Sequence, residues 1–271
     1  MGKKMMKTVL VTGASRGIGE TTARLFASRS WNVAATARNP DKFGTWAQAS
    51  NVAAIRLDVT NAASIQMAVE ETERRFGPVE VLVNNAGAGM GGAVEGGTRD
   101  ELVKLFDLNL FGLIATTQAV LPSMRRRSSG VIVNVSSAAG RVGLPFLAPY
   151  CASKHAVEGL TEAMSYELAS FGIRAKLIEA GGVKTLFTHE WMQSSAYEPM
   201  ATLVRDRYSA GMQKAAGPEG VAQVIFSAAT DGQPRLRYSA NGAGSFLKLN
   251  RWLPEGIWRS LITRLFIDSS G

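Results

Sequence analysis

One cysteine and two histidines stand among 271 residues, and that scarcity removes whole classes of chemistry. Cys151 alone cannot close an internal disulfide, so a disulfide-stapled fold is excluded and a reducing compartment fits. With only His155 and His189 beside it, neither a Cys-His nucleophile nor a metal centre built on His and Cys can be assembled. Cys151 reads instead as a small residue on a packed helix. Charged residues make up only 19% of the chain against 46% hydrophobic, a balance that argues for a folded core and against wholesale disorder. No apolar run approaches the length needed to cross a bilayer. The start, Met1 to Lys7, is basic, but the apolar segment after it is short and runs into glycine-rich sequence, unlike a signal peptide. Met6 also stands where a myristoylation signal needs Ser or Thr. The expectation is a cytoplasmic protein without stable membrane insertion. Repeats and low-complexity linkers are absent too, and the length admits one large α/β domain, residues 1–271, but no second substrate domain.

What is in excess is positive charge, a net +8. The longest basic run, Arg125-Arg126-Arg127, falls at the end of a predicted helix, where cations suit the macrodipole. Without aromatic interleaving or a recognition motif it does not indicate nucleic acid. A phosphate-rich cofactor accounts for part of the surplus.

The amino-terminal pattern supplies a place for such a group. Thr8 to Thr12 is a β-branched run of the kind that forms a buried parallel strand. It leads into Gly13-Ala14-Ser15-Arg16-Gly17-Ile18-Gly19 and then the amphipathic pattern Thr22, Ala23, Leu25, Phe26, Ala27. Strand, glycine turn and helix in that order make an anion site, with bare amides and the helix dipole facing a phosphate. A second strand, Asn32 to Ala37, ends where an NAD-binding protein places an acid for the ribose 2′-hydroxyl; Arg38 stands there instead. A guanidinium grips a 2′-phosphate by paired charged hydrogen bonds, and Arg16 can close on it from the other side. The expected cofactor is therefore NADP(H). Further strands follow at Ala53–Leu57, Val79–Val83, Val131–Val135 and Ile173–Ile178, and a last one at Arg235–Ser239. Such βα alternation predicts a Rossmann-type doubly wound parallel sheet of about seven strands with helices on both faces.

Tyr150 and Lys154, four residues apart on a helix, share a face. An ammonium beside a phenol favours the phenolate and lowers its pKa, which suits the pair to proton transfer near neutrality. Asn109, within a long helical pattern from about Arg99 to Arg126, is a middling helix former and needs a partner if buried.

The glycine turn, Asn109, Ser136-Ser137 and Tyr150-x-x-x-Lys154 together resemble the short-chain dehydrogenase/reductase family over about Lys7 to Thr185, in its single-domain NADP(H)-dependent carbonyl reductase or hydroxysteroid dehydrogenase-like form. The resemblance implies a catalytic set of Asn109, Ser137, Tyr150 and Lys154, with Ser137 rather than Ser136 because the family uses its thirteen-residue distance from the tyrosine. Cofactor contacts are implied at Gly13, Ser15, Arg16, Gly17, Ile18, Gly19, Arg38, Asp58, Val59, Asn85, Ala86, Gly87, Tyr150, Lys154, Val183 and Thr185, and substrate contacts at Ser137 and Tyr150. Asp58 has a second reading, as a cap for the helix beginning near Asn61. The family's proline is missing from Ala180-Gly181-Gly182-Val183-Lys184-Thr185, which is expected to loosen that turn. No metal is expected.

Residues 7–185 thus read as the cofactor-binding and catalytic core. The glycine-rich run Ala88 to Gly92 reads as a mobile rim. Residues 186–215, with Leu186, Phe187, Trp191, Met192, Tyr197 and Met200, suggest an adaptable apolar lid, although ordinary packing explains them too. Residues 240–271 form a C-terminal amphipathic extension: Trp252, Leu253, Ile257, Trp258, Leu261, Ile262, Leu265 and Phe266 recur at helical spacing. It has three open fates: packing across a substrate cleft, a subunit interface or a membrane surface. The expected reaction interconverts a hydrophobic carbonyl compound and its alcohol; a catalytically silent NADP(H)-binding regulator is the alternative. By resemblance, a homodimer or homotetramer forms through the two long helices.

Overall fold

Alternating side chains of the apolar runs decide the layers. The computed structural model describes residues 6–185, 187 and 189–268; the basic stretch Met1–Met5 and the lid position Leu186 lie outside them. Strands β1 (Thr8–Val11), β2 (Asn32–Ala37), β3 (Val52–Arg56) and β4 (Val79–Asn84) alternate with helices α1 (Gly17–Ser28) and α2 (Ala62–Phe76). Val9, Val11, Val33, Val83 and Val133 point to one face, where Phe26 and Ile225 cover them. Leu10, Leu82 and Ile132 point to the other, beneath Val120, Met124 and Leu168. A strand buried on both sides carries apolar residues on both faces, which is why these runs do not alternate in polarity.

The sheet continues through β6 (Gly130–Val135), β7 (Ile173–Ala180) and a late strand over Arg237–Ala240. Its seven strands run in the order β3-β2-β1-β4-β6-β7 and then the late strand, all parallel. The order reverses between β1 and β4, and the crevice outside their carboxyl ends is where such sheets bind ligands.

The long helix spans Arg99–Arg126, and it is apolar and long enough to cross a bilayer, contrary to the expectation from the sequence. Here it packs on β4 and α2 as part of the sheet's cover. It consists of α3 (Arg99–Phe106), a π turn over Asp107–Phe111 and α4 (Gly112–Arg126), opened by a capping box between Thr98 and Glu101.

Three expectations are corrected. Gly89–Gly92, read as a mobile rim, is strand β5, paired in parallel with β8 (His189–Met192). A glycine-rich run has too little side chain to announce a strand, and its partner lies far along the chain. The last strand starts at Arg237 rather than Arg235; it is β9 in chain order. The Gly181-Gly182 turn is not loose, because the Gly181 amide donates to Ala240 (3.0 Å) and the Lys184 amide to Ala216 (2.9 Å). The remaining helices are α5 (Ala148–Ala169), α6 (Met200–Lys214), α7 (Glu219–Thr230), α8 (Ala243–Trp252) and α9 (Glu255–Phe266), the last two divided at Pro254.

Candidate active site

The glycine turn folds as an anion cradle. Helix α1 begins at Gly17 with no side chain capping its first amides, so those donors and the dipole face the crevice. Thr12 Oγ1 accepts from the amides of Asn85 (2.9 Å) and Ala86 (3.0 Å), and Asn85 Nδ2 donates back to the Thr12 (2.9 Å) and Gly13 (3.1 Å) carbonyls. This bracing leaves no space at Gly19: a Cβ there would collide with the Gly13 carbonyl oxygen and the Asn85 amide. A packed, uncapped turn of this kind fits a nucleotide pyrophosphate.

The cradle opens into a cavity of about 630 Å³ whose walls include every expected cofactor contact but Gly19: Gly13, Ser15, Arg16, Gly17, Ile18, Arg38, Asp58, Val59, Asn85, Ala86, Gly87, Tyr150, Lys154, Val183 and Thr185. Arg16 and Arg38 are both exposed at its rim. Asp58 does not cap α2, as the second reading had it. Asn61 does, accepting from the Ser64 amide at 2.8 Å, while Asp58 Oδ1 accepts from the Thr60 amide and hydroxyl. Those bonds, with Arg38 and Arg56 nearby, hold its pKa below the usual carboxylate range.

Ser137, Tyr150 and Lys154 meet at the inner end of the same cavity. Ser137 leaves the carboxyl end of β6 and its hydroxyl accepts from the Ala139 amide. Tyr150 and Lys154 lie on α5, with Lys154 Nζ 5.9 Å from the tyrosine ring centroid. Lys154 Nζ donates to the Val135 carbonyl at 2.9 Å and keeps two further hydrogens for other partners.

The acid-base expectation needs a correction. Burial pushes the Tyr150 phenol up to about 12, only partly opposed by its hydrogen bond with Ser137, and the ammonium contributes no lowering. Burial also brings Lys154 down to about 8, against the pull of Glu158. Both side chains share the same loss of solvent, which disfavours phenolate and ammonium alike. Among the described groups, the phenol is therefore held in its proton-donating form at neutral pH.

Asn109 finds its partner within the protein. It lies in the π turn, its Oδ1 accepting from the Ala88 amide (2.8 Å) and its Nδ2 donating to the Ala88 carbonyl (2.9 Å) and Ser153 Oγ (3.0 Å). It thereby ties the start of β5 to α5. Cys151 is buried among Ala139, Leu147 and Tyr150, and burial pushes its thiol pKa up, as suits an inert packing residue.

Sequence reasoning missed two sets of residues. Glu158, one turn below Lys154, is buried, and Arg237 on β9 bridges it (3.0 Å) to Glu162 (2.8 Å). Arg141 meets the buried Glu179 beside them. The i+4 spacing from Lys154 was the available signal for Glu158; the arginine came from a distant strand. The second set lies on the facing wall of the cavity: His189, Tyr208 and Phe246 line it with Leu144 and Leu147, beside Phe187 and Phe266, which the lid and tail readings had named. Phe266 of α9 stacks on Tyr208 of α6 at 4.7 Å, while Trp258 and Ile262 are buried with Val142 and Phe246 around them. The inner face of the tail thus packs across the cleft. Its outer face leaves Trp252 81% exposed.

The short chain dehydrogenase family model matches residues 7–196. A 3-ketodihydrosphingosine reductase of Bacteroides thetaiotaomicron is 39% identical over 66% of this chain, and the match spans 65% of that enzyme, just under two thirds of its length. An uncharacterized oxidoreductase of Bacillus subtilis, YusZ, is 34% identical over 95% of this chain and 98% of its own. Among solved structures, a short-chain dehydrogenase from Streptomyces avermitilis superposes with a TM-score of 0.83 at 32% identity, covering 96% of both chains. Similar chains hold nicotinamide nucleotides of both kinds. A Burkholderia phymatum member is in complex with NAD (TM-score 0.80, 25% identity, 96% of this chain and 97% of that one). An actinorhodin polyketide ketoreductase variant is with NADPH (0.75, 29%, 90% and 99%).

Proposed function

The chain belongs to the short-chain dehydrogenase family, an oxidoreductase family, and from that premise we propose that it interconverts a hydrophobic ketone or aldehyde and its alcohol with NADP(H). The observation that carries this reading is the convergence of Ser137, Tyr150 and Lys154 on the cavity that the glycine turn opens into. A nicotinamide nucleotide, when bound, supplies or takes up the hydride. The Gly13–Gly19 turn holds its pyrophosphate, Asp58 and Val59 flank the adenine, and Arg38 and Arg16 grip a 2′-phosphate.

In reduction Tyr150 Oη gives its proton to the substrate oxygen, and the Ser137 hydroxyl bonds that oxygen as negative charge develops. Burial supports this direction, since it keeps the phenol protonated until it is needed. Lys154 would hold the ribose hydroxyls, while Asn109 completes proton resupply through water. The apolar wall of Leu144, Leu147, Phe187, Phe246 and Phe266 selects against small hydrophilic carbonyls.

We place the protein in a cytoplasm as a homodimer or homotetramer formed through the long helix and α5. Phe111 (55% exposed) and Tyr166 (74% exposed) on those helices are large apolar side chains that a partner copy would cover.

A panel of aldehydes and ketones, each followed by loss of reduced-nucleotide absorbance with NADPH and with NADH, tests the reading. Reduction of bulky apolar carbonyls with kcat/KM at least about tenfold higher for NADPH, lost in Arg38→Ala, is expected. A clear preference for NADH removes the 2′-phosphate assignment; no oxidation of either nucleotide leaves a cofactor-binding regulator.

A further inference from the structure

Among the described residues, one imidazole faces the cavity without being part of the Ser137, Tyr150 and Lys154 group or of the nucleotide cradle. His189 opens β8, and the parallel register sets it directly opposite Gly89 of β5. A Cβ at Gly89 would collide with the imidazole, so the glycine allows the ring to lie against the strand's backbone. From there His189 meets Tyr150 edge-on, with 5.3 Å between ring centroids, and Phe187 at 5.5 Å. Leu144 and Leu147 line the same cavity with apolar side chains.

Burial alone, with no hydrogen bond or charge opposing it, brings the His189 pKa down to about 4. The ring is therefore neutral in ordinary buffers, with one N–H to give and one lone pair to receive. His155 is different: it is exposed on α5 and its Nδ1 lies 2.8 Å from the Cys151 carbonyl. A half-buried ring on the cavity wall, with no hydrogen bond to a described residue, can bond a group that enters the cavity.

We propose that His189 is a specificity-determining residue that hydrogen-bonds a hydroxyl carried on the carbon beside the reacting carbonyl. The inference rests on the carbonyl reading above, which places the substrate oxygen at Tyr150. Since the imidazole packs edge-on against that same phenol, a carbonyl held by Tyr150 brings its neighbouring carbon to the ring. The preferred substrates are then bulky α-hydroxy ketones, and a plain ketone of the same bulk leaves the imidazole unpaired. A site built to bond a hydroxyl discriminates strongly against the analogue lacking it, far more than an apolar pocket discriminates one methylene.

Benzoin and deoxybenzoin differ by that one hydroxyl and suit the test. With NADPH saturating, the wild type is expected to favour benzoin by about tenfold or more in kcat/KM. His189→Phe brings the ratio to about one, and His189→Gln, which can still donate and accept, restores part of it. A wild type indifferent to the hydroxyl, or a ratio unchanged in His189→Phe, overturns the proposal. Calorimetric Kd values for benzoin on the NADPH-loaded protein separate this from failure of the reductase reading. If neither ketone is reduced, that reading falls, yet benzoin binding at least about tenfold weaker in His189→Phe than in wild type still upholds the His189 contact. Equal affinities refute it.

Discussion

One wall of the cleft, proposed for the nucleotide, is built from backbone, and the facing wall, proposed for the substrate, from side chains. On one side, the Gly13–Gly19 turn, the uncapped start of α1 and the Thr12–Asn85 bracing present amides and carbonyls fixed by neighbours in sequence or in the adjacent strand. On the other, Phe187, His189, Tyr208, Phe246 and Phe266 arrive from β8 and its approach, α6, α8 and α9. A backbone cradle tolerates almost no added volume, because its atoms cannot rotate away. A side-chain wall can repack, because its atoms rotate about single bonds. Tyr150, on α5, stands at the seam, in edge contact with His189.

Tyr150→Phe carries the largest expected effect. It removes one oxygen and little volume, so kcat should fall by about two orders of magnitude or more, while NADPH titration by fluorescence gives an unchanged Kd. Normal turnover would take the phenol out of the mechanism and leave the two walls without a common chemical centre.

A paired substitution then tests the contrast itself. Gly19→Val places atoms where the Gly13 carbonyl already is, and should weaken NADPH binding by about tenfold or more, with circular dichroism confirming the fold. Phe266→Ala removes the ring stacked on Tyr208 and should raise KM for bulky ketones by a few fold, about 1 kcal/mol, with NADPH affinity retained. If each change affected both ligands equally, the division into two walls would fail.

The smallest effect concerns stability against pH. Lys154 titrates near 8 in the fold against an ordinary 10.5, so between those values the unfolded chain holds more protons. Stability from this group therefore rises with pH across that window, at no more than about 1.4 kcal/mol per pH unit. Tyr150 acts oppositely above pH 10, since its folded pKa is raised to about 12 and stability is lost as pH climbs between the two. Urea unfolding from pH 8 to 10 should show the rise in wild type and a flatter profile in Lys154→Met; a rise of equal slope in the variant would assign it to another group.

The residues that could be read in advance are those whose partners are close in sequence. Thr8–Val11 followed by glycine and an amphipathic helix fold as a unit, and the i, i+4 spacing alone puts Tyr150 and Lys154 on one face. The seven-stranded sheet followed from apolar runs buried on both sides. What could not be read were pairings across long stretches of chain. Gly89–Gly92 carries no strand signal until His189–Met192 lies beside it, and Glu158 is an ordinary helical acid until Arg237 arrives from β9. The acidity of Tyr150 was misjudged for the same reason: proximity to an amine is visible in a sequence, but the loss of solvent around both groups is not.

By itself, then, the order of residues determined the sheet, the glycine turn and the identity of the groups at its edge, because strand burial, glycine conformations and helix periodicity are local properties. Tertiary structure alone decided the apolar wall, the position of His189 beside Tyr150 and the charge states at the centre. Those depend on desolvation and on which distant segments share a surface, and both exist only once the chain has closed on itself.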